Sequence, residues 1–128
     1  MLEPLFLKPV FQEKIWGGTK LKTVFDYPLE SEKIGECWAI SAHPHGVCVV
    51  DSGTFKGQKL DDLWKNHQEL FGHSKEEVFP LLTKILDAED DLSVQVHPDD
   101  SYGKEHEGEL GKTECWYIIS ADPGAEII

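Results

Sequence analysis

The sequence has no apolar run approaching the roughly 20 residues that span a bilayer. Its start, Met1-Leu2-Glu3-Pro4, lacks the basic residues and long apolar stretch of a secretory signal. A cytoplasmic protein is therefore expected. Cysteine is scarce, at positions 37, 48 and 115 only, an odd number too widely spaced for a disulfide framework or a CxxC-type zinc site. The three are expected to be reduced, on or near strands, where a small apolar group packs well. Basic residues are also few. Twelve Lys and Arg against 24 Asp and Glu leave a net charge of −12. Such a field repels nucleic acid and acidic membrane surfaces, which makes both poor partners. It opposes a phosphorylated ligand too, unless lysines gather locally, so the position of each lysine is informative. There is no internal repeat, low-complexity tract or linker. With 128 residues, 40% hydrophobic and 28% charged, the chain fits one soluble globular domain.

The pattern along the chain is mostly that of short strands. Residues 5–11 alternate weakly around Pro9, as an edge strand or extended arm does. Trp16-Gly17-Gly18 reads as a turn. Residues 35–42 read as a strand with Cys37, Ala39 and Ser41 on one face and Glu36, Trp38 and Ile40 on the other. His43-Pro44-His45-Gly46 then turns the chain into a second strand, residues 47–50, giving a hairpin. Leu60, Leu63, Trp64, His67, Leu70 and Phe71 recur at helical spacing, Asp61 and Asp62 lie in the first turn, and Gly72 closes the helix. Ser74 and Glu77 have the spacing of a capping box. β pattern returns in residues 81–87, 92–97 and 113–120, with a long polar stretch at 98–111 and a turn at Asp122-Pro123-Gly124. Residues 125–128 look like the start of another strand. Short strands with one helical stretch predict an all-β barrel or sandwich with a helical insertion.

Chemistry gathers in the second half. Ser93, Gln95 and His97 share one strand face, and Lys112, Glu114 and Trp116 share another. A four-residue turn after Asp87 pairs residues 81–87 with 92–97, which sets Lys84 across from Gln95 and Leu82 across from His97. Two lysines, a serine, an amide, an imidazole and a carboxylate then converge. Burying them is costly unless they bind something. Imidazole and carboxylate are ordinary zinc ligands, and an amide oxygen is a weaker, harder one. The plain alternatives stand beside this: a histidine at a strand end is often a surface residue, and Lys112 with Glu114 an exposed pair. Lys84, inside an apolar run, is harder to dismiss, because a core seldom tolerates an unpaired lysine. His43 and His45 form an HxH pair, but the turn at Pro44 is expected to splay them.

Three segments bear a resemblance. Phe79-Pro80-Leu81-Leu82-Thr83-Lys84-Ile85-Leu86-Asp87-Ala88, Leu92-Ser93-Val94-Gln95-Val96-His97-Pro98-Asp99-Asp100 and Gly111-Lys112-Thr113-Glu114-Cys115-Trp116-Tyr117 closely resemble the type I mannose-6-phosphate isomerases (phosphomannose isomerases). Lys14-Ile15-Trp16-Gly17-Gly18 and Gly35-Glu36-Cys37-Trp38-Ala39-Ile40-Ser41-Ala42-His43-Pro44 are similar to early segments of the shorter bacterial members. The resemblance covers essentially the whole chain, with the motifs in family order. It implies a cupin jelly-roll barrel, a bound zinc ion and interconversion of mannose 6-phosphate and fructose 6-phosphate. It matches Gln95, His97 and Glu114 to zinc ligands and Lys84, Ser93 and Lys112 to the substrate site, without dividing phosphate from sugar oxygens among them.

The family's fourth zinc ligand is a histidine on a later strand, and no histidine here matches it. The resemblance therefore covers an N-terminal cupin portion, 1–128, expected to be incomplete at its C-terminal side, to hold zinc weakly and to be inactive alone. No residue is assigned as catalytic base, and both proton shuttling through an enediol and hydride transfer remain open. A stand-alone, non-catalytic cupin module that binds a metal or sugar phosphate is the alternative reading. A small metallo-oxygenase is disfavoured by the single histidine in the central motif. The loop around residues 99–111 is read either as a lid or as a solvated excursion. Open strand edges predict association of copies into a homo-oligomer.

Overall fold

Pro9 interrupts the first apolar stretch, and the chain changes sheets there. In the computed structural model, which describes residues 3–108 and 111–128, β1 (Leu7–Lys8) pairs with β4 (Val49–Val50). Immediately after the proline, β2 (Val10–Gly18) pairs with β3 (Ile34–Ser41), and β5 (Leu82–Leu86) completes an antiparallel sheet of order β2-β3-β5. Proline has no N–H to give a ladder, so a strand boundary suits it. The chain falls into two compact units, Met1–Asp91 and Leu92–Ile128, and among the described residues every strand lies in the first. Met1 and Leu2 of the N-terminal start, and Glu109 and Leu110 of the 98–111 stretch, lie outside the described residues.

The alternation read in β3 holds for Glu36, Cys37 and Trp38, but a register shift after Trp38 sets Ile40 opposite Thr83 and Ser41 opposite Leu82, so the expected faces do not continue to Ser41. Cys37 is fully buried on one face, against Leu21 and Ile34, with Phe11, Tyr27 and Ile85 packed around them. Glu36 and Trp38 occupy the other face. Leu21 is brought in by α1 (Lys20–Thr23), whose first N–H donates to the buried Asp87 carboxylate at 2.7 Å. The helical periodicity becomes α2 (Leu60–Asn66), which buries Leu60, Leu63 and Trp64, followed by a tighter 3-10 turn over Gln68–Phe71. Gly72 ends it in the left-handed conformation (φ 70°) that glycine adopts without steric cost. The Trp64 ring packs against Phe71 and Phe79 at 5.1 and 5.3 Å between centroids. A fully buried leucine such as Leu63 contributes on the order of 2 kcal/mol.

Several expectations are corrected. Trp16-Gly17-Gly18 is the end of β2 and not a turn, because Gly18 pairs with Ile34 and Gly17 bridges to Ala88. The hairpin expected around 43–46 is only partly made. The turn forms and Cys48 N–H reaches the Ser41 carbonyl (2.8 Å), but Val49 and Val50 ladder with β1. Ser74 opens no helix, since its hydroxyl instead accepts from the Glu76 N–H. Residues 92–97, 113–120 and 125–128 form no strand. Alternation alone makes no strand; the backbone needs a neighbouring edge, and β5 takes its register from β3, with Lys84 opposite Trp38.

The second unit is built on turns. Asp99 caps α3 (Asp100–Tyr102) by accepting from the Tyr102 N–H at 2.9 Å. A wider helical turn over Gly103–Glu107 follows, with the Tyr102 and His106 rings stacked at 4.1 Å. The polar stretch is therefore partly helical. The turn at Asp122-Pro123-Gly124 is as read, closed by Ala125 N–H on the Asp122 carbonyl. No helix of the described residues is long and apolar enough to cross a membrane.

Candidate metal and substrate site

The two ends of the polar stretch come together through a glycine. A Cβ on Gly111 would stand 2.3 Å from the Asp99 carbonyl carbon and 2.4 Å from the Asp100 nitrogen, so no other residue fits without moving backbone. Lys112 N–H then donates to the Pro98 carbonyl at 3.3 Å. This closure carries Lys112 and Glu114 to the residue just before Pro98, which is His97.

His97 Nε2 lies 3.6 Å from Glu114 Oε1, and Lys112 Nζ lies 3.5 Å from the other oxygen, Oε2. The Trp116 indole N–H also donates to Oε1, at 3.4 Å. Desolvation alone raises the Glu114 carboxyl, but the indole N–H, Lys112 and His97 outweigh it and hold it below the ordinary carboxylate value. The His97 and Glu114 side chains are 30% and 38% exposed, so the pair is open to solvent and ligand. Gln95 donates its amide nitrogen to the Ser93 hydroxyl at 3.2 Å, which turns its carbonyl oxygen away from that hydroxyl. Ser93 with Gln95, and Lys112 and Trp116 with Glu114, are in contact although neither segment is a strand.

A tetrahedral zinc with bonds of about 2.0–2.1 Å sets its ligand atoms roughly 3.3–3.4 Å apart. The 3.6 Å between His97 and Glu114 is close to that spacing, and imidazole with carboxylate is a donor set zinc accepts. These two residues fit the ion. Among the described residues, no three His, Cys, Asp or Glu side chains group around one point.

Lys84 belongs to the first unit and sits on β5, opposite Trp38. Its ammonium is 3.3 Å from Glu36 Oε2 and 4.9 Å from the Trp38 ring centroid. The same Glu36 oxygen accepts the Trp38 indole N–H at 2.6 Å. The cross-strand pairing of Lys84 with Gln95 is thus replaced by pairing with β3. Sequence reasoning missed Glu36 and Trp38; the signal was their shared face on a strand already recognised. His43 and His45 are not splayed, their ring centroids being 4.8 Å apart, and His43 Nδ1 accepts the His45 N–H. A cavity of about 370 Å³ beside Gly17 and Gly18 is lined mainly by Glu32, Glu89, Asp90 and Lys33, and none of the predicted site residues borders it.

The chain is 66% identical to the mannose-6-phosphate isomerase of Streptococcus mutans over all 128 residues, which cover 40% of that protein. It is 60% identical over 127 residues to a mannose-6-phosphate isomerase of Bacillus subtilis, covering 98% of this chain and 40% of the relative. The crystal structure of a mannose 6-phosphate isomerase from Bacillus subtilis superposes with a TM-score of 0.92 at 57% identity, covering 94% of this chain and 39% of that one. The chain thus spans about 40% of the length of these relatives and shares the mainly β, cupin-type fold of the matched part. The model for the catalytic domain of type I phosphomannose isomerase matches residues 5–119, and the chain belongs to that family.

Proposed function

We propose that residues 1–128 form the N-terminal cupin portion of a zinc-dependent aldose-ketose isomerase that interconverts mannose 6-phosphate and fructose 6-phosphate. The observation that carries this reading is the meeting of His97, Glu114 and Lys112 in a chain whose relatives are named for that reaction. Gln95, His97 and Glu114 would hold the zinc, and Lys84, Ser93 and Lys112 the sugar phosphate. Zinc, when bound, supplies electrophilic polarisation of the oxygens on the two carbons between which hydrogen moves. Together with the Trp116 indole N–H, Lys112 favours the charged form of the Glu114 carboxyl, and it offers its remaining donors to an anionic oxygen. Ser93 fixes the Gln95 amide by its nitrogen, which leaves the harder oxygen end to face a metal. No described residue is assigned as the base.

A second reading, a non-catalytic module that binds metal or sugar phosphate, is favoured by the absence of a three-residue His, Cys, Asp or Glu cluster among the described residues. One experiment addresses both. The zinc-loaded chain is titrated with mannose 6-phosphate by calorimetry, and turnover is followed in a coupled assay. Binding that is lost in Lys112→Met and Ser93→Ala is expected, with no appreciable turnover by this chain alone. Equal binding by these variants contradicts the substrate assignment. Turnover on the order of 1–1,000 per second contradicts the expected inactivity and removes the second reading.

A further inference from the structure

The chain contains no arginine, so every fixed cation it offers a phosphate or sugar oxygen is a lysine. A lysine ammonium is a mobile point charge on a flexible stem, and it recognises geometry only when something else holds it. Lys84 is held. The β3–β5 register places it directly opposite Trp38, and Glu36 lies two residues along β3 on the same face. One carboxylate oxygen of Glu36 serves both partners, accepting the indole N–H at 2.6 Å and the ammonium at 3.3 Å. The indole face supports the ammonium at 4.9 Å from the ring centroid, within the range of a cation–π contact. Trp38 is itself fixed: it is 7% exposed, meets the His43 ring edge-on at 5.6 Å, and lies so near Gly46 that a Cβ there would come within 2.9 Å of the indole.

We propose that Glu36 and Trp38 are positioning residues for Lys84, and that they determine specificity by turning a mobile cation into a directed donor. The proposal rests on reading Lys84 as a substrate residue. The Glu36–Lys84 side chains are only 12% and 23% exposed, so their attraction is weakly screened, and the pair as a whole carries no net charge. Lys84 therefore adds little unspecific attraction for anions. What it adds is N–H donors aimed in one direction, which reward a ligand whose oxygens match. Without the carboxylate, Lys84 becomes a free cation that attracts any anion.

Two readouts test this on the 128-residue chain. The first needs no substrate. With carbon-13-labelled lysine, the Lys84 side-chain resonance, assigned by its loss in Lys84→Met, is expected upfield of the other lysines through the Trp38 ring current. Glu36→Gln is expected to return it to the ordinary range. If Glu36→Gln does not fold, Lys84→Met reads the same clamp from the other side, through a shift of the Trp38 indole N–H resonance. A Lys84 resonance indifferent to Glu36, or an indole indifferent to Lys84, overturns the clamp. The second readout is the ratio of affinities for mannose 6-phosphate and inorganic phosphate, expected to fall roughly tenfold in Glu36→Gln, the size of one charged hydrogen bond. An unchanged or increased ratio overturns the specificity role. If Lys84→Met binds mannose 6-phosphate as the parent chain does, the substrate role of Lys84 is what fails, and the resonances still decide the clamp.

Discussion

Residues 1–91 and residues 92–128 carry the same kind of sequence, short alternating runs of β-branched and aromatic residues, yet they fold differently. In the first unit the runs find edges: β3 lies between β2 and β5, and Cys37, Leu21 and Ile34 disappear from solvent. In the second, Val94 is 81% exposed, Val96 91% and Tyr117 89%, and no ladder forms among the described residues. Despite this, the second unit still brings polar side chains together, from Ser93–Gln95 to His97–Glu114–Lys112. Core formation and site formation are thus separable here. One depends on finding an edge, the other on a loop closed at Gly111.

The contrast is sharpest in what a truncation costs. Leu63 is fully buried, and Leu63→Ala is expected to destabilise the first unit by about 2–5 kcal/mol through lost burial and a residual cavity. Val96→Ala is expected to stay within about 0.5 kcal/mol. Urea unfolding followed by tryptophan fluorescence and by far-ultraviolet dichroism measures both. Comparable losses would break the comparison.

A smaller effect probes the loop closure. Gly111→Ala must push the Asp99–Asp100 backbone aside and so draw Glu114 from His97. Zinc affinity should fall roughly tenfold or more, the range for disturbing residues that orient metal ligands. The thermal midpoint of the first unit should stay unchanged. Unaltered zinc affinity would show that the closure does not organise the site.

The pattern of β3, β5 and α2 was legible because each is a local periodicity: Leu60, Leu63 and Trp64 need no knowledge of the rest of the chain to mark a buried helix face. The site's residue types were legible too, and Lys112, Glu114 and Trp116 do interact. What local pattern does not encode is which edge meets which. Residues 81–87 were expected to pair with the next alternating run, 92–97, the shortest loop closure available, whereas β5 crosses to β3. That one register replaced Gln95 by Trp38 as the partner of Lys84 and hid Glu36. The separation of β4 from β3 has the same origin, since β1 offered the edge that Val49 and Val50 took.

The smallest effect concerns pH. Burial pushes the Cys37 thiol up, against the Tyr27 hydroxyl beside it, with Cys48 adding to the rise. Burial likewise raises Cys48, against backbone contacts from Ser41 and Val10. In the folded chain both groups keep protons that the unfolded chain releases near pH ~8.5, the ordinary thiol value. Their contribution is therefore complete below that pH and is lost as pH rises toward the higher folded values. The urea midpoint of the first unit should decline above pH ~8.5, and less steeply in the Cys37→Ala, Cys48→Ala double variant. Identical slopes would place the pH dependence elsewhere.

The proposed zinc site stands on His97 and Glu114 acting as one metal-binding pair. Nitrogen-15 resonances of the histidine rings, followed while zinc is added to the full chain, read this directly. The His97 ring is predicted to shift first, and Glu114→Ala to weaken that response at least tenfold. A His97 resonance that stays still while His43 or His45 takes up the metal, or a response unchanged in Glu114→Ala, would contradict it.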